Sequence, residues 1–234
     1  MSVLLLRLAG PLQSWGASAR FARRTTEAAP TKSGVVGLLA AALGRDRTAD
    51  LADLAALRFG VRIDQPGTLV RDLQTAHHGD TEKAMPLSER FYLADAVFVA
   101  AVEGDDATVG ELLTALRAPV FLPYLGRRSC PPSGPVELGV RRGVGLRQAL
   151  EREPWQAARR HRSRHPSPTV PLTVLTDAEP AEQPRADLMR DLPLSFDPRH
   201  RRYSMRGVTS CVVDVPALGP SHDPTAHLNP LEPV

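Results

Sequence analysis

The sequence predicts an α+β fold, and three observations carry that prediction. Apolar stretches of strand length at residues 3–9 (VLLLRLA), 59–64 and 90–102 (RFYLADAVFVAAV) alternate with helical patterns at 31–44 and 108–117. Taken in order with a further strand at 136–140, they read β-α-β-…-β-α-β, the ferredoxin-like arrangement shared with RNA-recognition folds. Beyond Pro135 the pattern changes to short strands between charged and Pro-rich loops, which predicts a small β-rich C-terminal lobe. At 234 residues, with 42% hydrophobic and 24% charged side chains, the chain can bury a substantial core.

Residues 3–9 make a buried strand, closed by Gly10 and Pro11. Residues 12–30 form a long polar loop holding Trp15, Gly16, Arg20, Arg23 and Arg24; loops of this length in compact domains are usually functional. In PTKSGVVGLLAAALG, Thr31 or Ser33 caps a helix, Val36, Leu39, Ala40 and Leu43 give its apolar face, and Gly44 ends it. Lys32 and Ser33 stand at its positive end, where phosphate oxygens bind. The upstream glycine of a nucleotide phosphate loop is missing, which argues against nucleotide hydrolysis. Residues 50–57 add a short helical stretch. Residues 59–64 form a strand, Gln65-Pro66-Gly67 a tight turn, and 68–75 the returning arm of that hairpin. Residues 76–89 are polar, with His77, His78 and Lys83, and leave the sheet. Residues 90–102 read as one long strand and 108–117 as an amphipathic helix. After the strand at 136–140, a short helix is expected at 146–153 and a flexible basic stretch at 157–168 (AARRHRSRHPSP). Strands at 169–176 and 202–215 follow, with an acidic, Pro-rich loop between them. The domain expectation is therefore 1–140, then 141–216, then a disordered tail over 217–234.

The candidate site is the stretch PYLGRRSCPP, residues 123–132. Gly126 lets the backbone turn, and Pro123, Pro131 and Pro132 stiffen its flanks. This predicts a rigid, exposed loop presenting Arg127 and Arg128 beside Tyr124. Guanidinium forks match phosphate oxygens, and an aromatic face can stack on a base. An isolated arginine pair is ordinarily a solvated surface feature; the charge distribution speaks for more. Residues 127–164 carry ten arginines against Glu137, Glu151 and Glu153, within a chain whose net charge is only +3. Such a segment suggests a polyanionic partner. The two cysteines, Cys130 and Cys211, fall outside any CxxC pair, which excludes a disulfide scaffold or a cysteine-rich zinc site and suits a reducing cytoplasm. The N-terminal apolar run is stopped by Arg7 and Pro11, short of a signal peptide or membrane span.

Four stretches, LLLRLAGPLQSWG, PTKSGVVGLLAAALG, RFYLADAVFVAAV and PYLGRRSCPP, resemble in order the CasD subunits of type I-E CRISPR Cascade complexes, members of the RAMP superfamily. The resemblance covers about the first three-fifths of the chain; RRYSMRGV is the best match beyond it. It implies a ferredoxin-like domain with a projecting thumb, placed here at residues 76–89, and a small β-rich C-terminal region. It further implies a non-catalytic subunit that holds the five-prime handle of the CRISPR RNA and touches the Cascade backbone subunit and large subunit. No cofactor, metal or membrane enters that role. In such a reading Arg127, Arg128, Lys32 and Ser33 supply phosphate contacts, Gly126 shapes the loop, and Tyr124 and Trp15 stack on bases.

The sharpest rival is a metal-independent endoribonuclease acting on CRISPR precursor RNA, like the type I-C relative. His77, His78, Lys83 and Tyr92 are the side chains able to furnish its base, acid and cation. A metal-dependent nuclease built on His161 and His165 lacks an HExxH motif or carboxylate cluster. A generic single-strand RNA-binding module lacks the aromatic RNP1 signature, and aromatic content is only 5%.

Overall fold

The first strand, β1 (Ser2–Ala9), is buried on both faces, and the architecture is built outward from it. Its even-numbered leucines, Leu4, Leu6 and Leu8, enter one hydrophobic core; Val3 and Leu5 enter a second on the opposite side. The computed structural model describes residues 1–17 and 23–217. The tail expected over 217–234 therefore lies, from residue 218 onward, outside the described residues.

After β1 come two short bridging strands, β2 (Leu12–Gln13) and β3 (Arg23–Arg24), then helices α1 (Lys32–Ala42) and α2 (Ala52–Ala56). Strands β4 (Arg58–Gln65), β5 (Thr68–Gln74), β6 (Ser88–Ala94) and β7 (Val97–Gly104) precede helix α3 (Asp106–Arg117). Next are β8 (Glu137–Arg142), α4 (Leu146–Arg152), the one-turn α5 (Arg159–Arg162), and strands β9 (Thr169–Asp177), β10 (Asp187–Ser195) and β11 (Arg202–Pro216). Seven strands form one antiparallel sheet in the order β10-β11-β9-β4-β7-β1-β8. β2, β3, β5 and β6 form a second, smaller sheet centred on β6.

The expected helix at 31–44 is present with its expected caps. Thr31 Oγ1 accepts the Gly34 N–H at 3.2 Å. At the other end the Gly44 N–H reaches the Ala41 carbonyl and the Arg45 N–H the Ala40 carbonyl, a Schellman closure that places Gly44 at φ +74°. α1 and α3 cover the first core, while α4 and Trp155 cover the second.

Three expectations are corrected. Residues 68–75 do form a strand, β5, but it does not return along β4: Thr68 pairs with Ala94 and Gln74 with Ser88, on β6. β4 already has β7 on one side and β9 on the other, leaving no edge for a hairpin partner. Gly67 (φ +74°) aims the chain at the β6–β7 junction, where a Cβ would stand 2.5 Å from the Ala94 carbonyl oxygen. Residues 90–102 are not one strand. Asp95 (φ 56°) takes the left-handed conformation that short polar residues tolerate, and its N–H bonds the Pro11 carbonyl. The chain passes there from the small sheet to the large one. The acidic loop between the last two expected strands contains a further strand, β10, which pairs with β11 through two register shifts. Asp191 and Pro193 hide its alternation from a pattern reading.

β9 bonds β4 across Gly60, Val61 and Arg62, so the C-terminal strands continue the sheet begun by β1. Gly60 is the point of closest approach: a Cβ there would lie 2.9 Å from Leu150 Cδ1 of α4. Arg62, wholly buried, locks the same region. Its guanidinium grips the Asp64 carboxylate with two bonds and donates to the carbonyls of Leu150, in the last turn of α4, and of Glu153 and Pro154 just beyond it.

Candidate nucleic-acid interface

The tertiary structure brings the three most distinctive stretches of the sequence to one end of the large sheet, around Trp15. The Trp15 indole is fully buried, and its Nε1 donates to Gln13 Oε1 at 3.1 Å. Gln13 in turn donates to the carbonyls of Leu8 and Ala96. Two glycines make room for the ring. A Cβ on Gly34 would sit 2.7 Å from Trp15 Cε3, and one on Gly126 would sit 3.3 Å from the same atom. The loop at 123–132 is clasped to this assembly: the Ser14 N–H bonds the Leu125 carbonyl, and Gly10 packs under the Pro131 carbonyl. Within the loop the Leu125 N–H bonds the Cys130 carbonyl at 2.7 Å, and Leu125 and Cys130 point into the core. Burial raises the Cys130 thiol above its ordinary pKa, opposed by Ser129 and the charge of Arg127.

Three expected contact residues are corrected by this geometry. Trp15 offers no free face to a base; its ring organises the loop from beneath. Lys32 and Ser33 are both buried, and the start of α1 already holds an anion, the Asp191 carboxylate of β10, which accepts the Lys32 N–H at 2.7 Å. Lys32 Nζ pairs with Asp177 at 3.0 Å. Arg206 joins them, with two bonds to Asp191 and one to Asp177, and its guanidinium lies 5.3 Å from the Phe59 ring centroid. Burial disfavours charge on Arg206, but the two aspartates more than offset it and leave its pKa above the ordinary value. No single-sequence signal joins Lys32 to carboxylates at 177 and 191, because the β9–β11 strands alone bring them within reach.

Arg127 is the expected residue that the structure places in the richest setting. Its guanidinium stacks 4.7 Å from the centroid of Tyr92, and Nη2 donates to the Arg24 carbonyl at 2.8 Å. Arg24 pairs with Arg90 in the parallel bridge of β3 and β6. Arg90 and Tyr92 lie two residues apart, hence on one face of β6. Arg24, Arg90 and Arg127 thus converge beside the loop. Arg90 Nε and Arg127 Nη1 are both shielded from solvent and, among the described residues, have no hydrogen-bond partner. Asp72 stands opposite Arg90 on β5, but its carboxylate accepts from Gln74. A shielded donor without an acceptor costs ~1–3 kcal/mol, more for a charged group, which makes this pair the candidate site. Arg128 is exposed, Tyr124 and Gly126 are partly so, and Gly126 is left-handed at φ +81°. Arg90, Arg24 and Tyr92 belong to this arrangement although loop composition did not single them out; the β3–β6 pairing is what recruits them.

The nuclease candidates are brought together only in part: His77, His78 and Lys83 meet at one hairpin tip, where the His78 N–H bonds the Lys83 carbonyl, while Tyr92 lies apart. His77 and His78 sit at the far end of the β5–β6 hairpin, where His77 Nδ1 meets the Glu82 carbonyl at 2.8 Å and His78 Nδ1 accepts the Asp80 N–H. Tyr92 pairs with Val70, seven residues before His77 in the chain, roughly 23 Å at strand spacing. His161 and His165 are instead packed against Trp155. Among the described residues no helix is long and apolar enough to cross a membrane.

The chain belongs to a family of CRISPR-associated proteins: the model of the CRISPR-associated protein (Cas_Cas5) family matches residues 3–209. Among individual relatives, the CRISPR system Cascade subunit CasD of Escherichia coli (strain K12) is 37% identical over 169 residues, 64% of this chain and 75% of that protein. A solved structure described as a CRISPR RNA-guided surveillance complex contains a chain 34% identical to this one, with a TM-score of 0.75, covering 94% of this chain and 95% of that one. A crystal structure of a Cas protein is 41% identical, with a TM-score of 0.71, over 92% of this chain and 97% of the other.

Proposed function

We propose that this chain is a CRISPR RNA-binding subunit of a type I-E Cascade surveillance complex and holds the five-prime handle of the guide RNA without cutting it. Membership of the family, the likeness to CasD and the likeness to a chain of a guided surveillance complex support that role. The observation that carries the site is the pair of unpartnered guanidinium donors, Arg90 Nε and Arg127 Nη1. Phosphate oxygens are the acceptors they suit, with Arg128 and Tyr124 at the open rim for a further phosphate and a base.

The architecture favours this location. The order β4-β7-β1-β8, with α1 and α3 on one face, supports a ferredoxin-like reading of residues 1–140. The sheet face that RNA-recognition domains leave open is covered here by Leu146, Leu150 and Trp155, so RNA contacts pass to the loops at the sheet end. The β5–β6 hairpin, inserted between β4 and β7, is the candidate thumb. Exposed Leu69, Leu73, Met85 and Leu87 give it an apolar surface suited to the Cascade backbone subunit. The cytoplasm and the large subunit are its expected surroundings, and residues 141–216 its supporting lobe.

End-labelled repeat RNA incubated with the purified chain, in magnesium and in EDTA, tests the reading on paired native and denaturing gels. A shifted, intact RNA is expected, with Arg90→Ala or Arg127→Ala each weakening binding by roughly 10-fold or more, the loss of a charge-assisted bond. A discrete product that persists in EDTA and vanishes in His77→Ala or His78→Ala establishes the ribonuclease instead.

A further inference from the structure

A second arginine cluster lies at the same end of the sheet, on its other face. Arg159, Arg160 and Arg162 form α5, and Arg164 follows within one turn. The inner side of this turn is fixed: His161 and His165 set their rings edge-on against Trp155, with centroids 5.8 and 5.2 Å away and interplanar angles of 75° and 83°. Trp155 is itself buried, and its Nε1 donates to the Asp64 carbonyl at 2.9 Å. The Ala158 N–H bonds Gln65 Oε1, which ties the start of α5 to the end of β4. Arg159, Arg160 and Arg164 are left facing solvent.

These cations are uncompensated. No Asp or Glu occurs from Pro154 to Thr176. Arg159, Arg160, Arg162 and Arg164 make no ion pair among the described residues, whereas Arg45, Arg58, Arg62, Arg141, Arg147 and Arg206 all do. The neighbours feel that field. Burial and the charge of Arg162 together hold the Arg7 guanidinium below its ordinary pKa, although Asp64 opposes them. A rigid, one-sign patch of this kind attracts a polyanion and falls short of its lowest energy without one.

We propose that Arg159, Arg160 and Arg164 form a second, sequence-independent contact for the phosphodiester backbone of a single strand that passes over this end of the sheet. The placement follows from β1. Its Arg7 reaches the Gln156 carbonyl on the α5 face, while two residues on the Ala9 carbonyl accepts from Ser133, at the exit of the 123–132 loop. A strand leaving the Arg90–Arg127 site therefore meets α5 by rounding the sheet end. The proposal rests on the RNA-binding reading but uses separate residues.

The test is a salt titration of binding by the full-length chain, from 50 to 300 mM KCl, over which the Debye length falls from about 14 Å to about 6 Å. The fluorescent probes are the repeat RNA, a 20-nucleotide oligo(U), and a DNA duplex of about 20 base pairs of unrelated sequence. Each single-strand phosphate neutralised contributes about 0.7 to the log–log slope, so R159A/R160A/R164A should lower the slope by about 2 on both RNAs. R159K/R160K/R164K, which keeps the charge, should restore it. An unchanged slope on both RNAs overturns the proposal, as does a loss confined to the duplex or to the repeat RNA alone. The Arg90→Ala variant separates the two readings: if it binds repeat RNA normally while the α5 variant loses slope, the pocket assignment fails and the α5 surface stands.

Discussion

Replacing Gly126 by alanine is the sharpest probe of how the arginine loop is held. Gly126 adopts φ +81°, and a Cβ there would stand 1.9 Å from the Ser14 carbonyl oxygen. The left-handed conformation alone costs an alanine ~1–2 kcal/mol. Relieving the contact to an ordinary 3.4 Å requires about 1.5 Å of relative movement between two backbones joined by the Leu125–Ser14 bond, so that bond is strained or lost as well, ~1 kcal/mol more. The sum, ~2–3 kcal/mol or above, is a large fraction of a domain's stability. Gly143 provides the control. It is also left-handed, at φ +69°, but an added Cβ meets nothing within 4 Å among the described residues. Gly143→Ala should therefore lose only the conformational part, ~1–2 kcal/mol. Urea unfolding of both variants measures the difference, and RNA binding at a temperature where both are folded measures displacement of Arg127. Equal destabilisation of the two variants, with equal RNA affinity, would refute the claim that loop and Trp15 strand are in direct steric register.

Two further outcomes follow from the buried charges. Asp191→Ala removes the carboxylate that holds the start of α1 and two of the three guanidinium nitrogens of Arg206, and should destabilise the fold by ~3 kcal/mol or more in urea unfolding; a loss of RNA affinity without a loss of stability would instead make Asp191 part of the binding surface. His161 is held below the usual histidine pKa by burial, then by the charges of His165 and Arg164. Its folded pKa is lower than its unfolded one, so its contribution to stability is complete above about 6.5 and is lost as pH falls through the folded value. An NMR titration should show that depressed midpoint, and His161→Asn should flatten the acid limb of the stability profile.

Much of the local structure was legible in residue order. The apolar runs of β1, β4 and β7, the Thr31 cap and Gly44 stop of α1, and the left-handed Gly126 follow from interactions within a few residues of one another. The four stretches that carry the family resemblance are of this kind, and the family followed from them. Partners distant in sequence were not legible. β5 chose β6 over β4 because both edges of β4 were taken by strands from elsewhere in the chain. Trp15 was drawn under Gly34 and Gly126, so the residue expected to stack on RNA became the floor of the loop. Lys32 was claimed by Asp177, and the helix end beside it by Asp191, 159 residues away. Arg90 Nε and Arg127 Nη1 are without partners among the described residues, and only the folded chain sets them beside each other. Sequence by itself determined which segments can be helix, strand or turn and how many cations the chain carries, since these depend on side-chain shape and charge. Tertiary structure alone decided which of those cations are spent on internal carboxylates and which are not, because a buried charge takes the nearest acceptor that folding delivers.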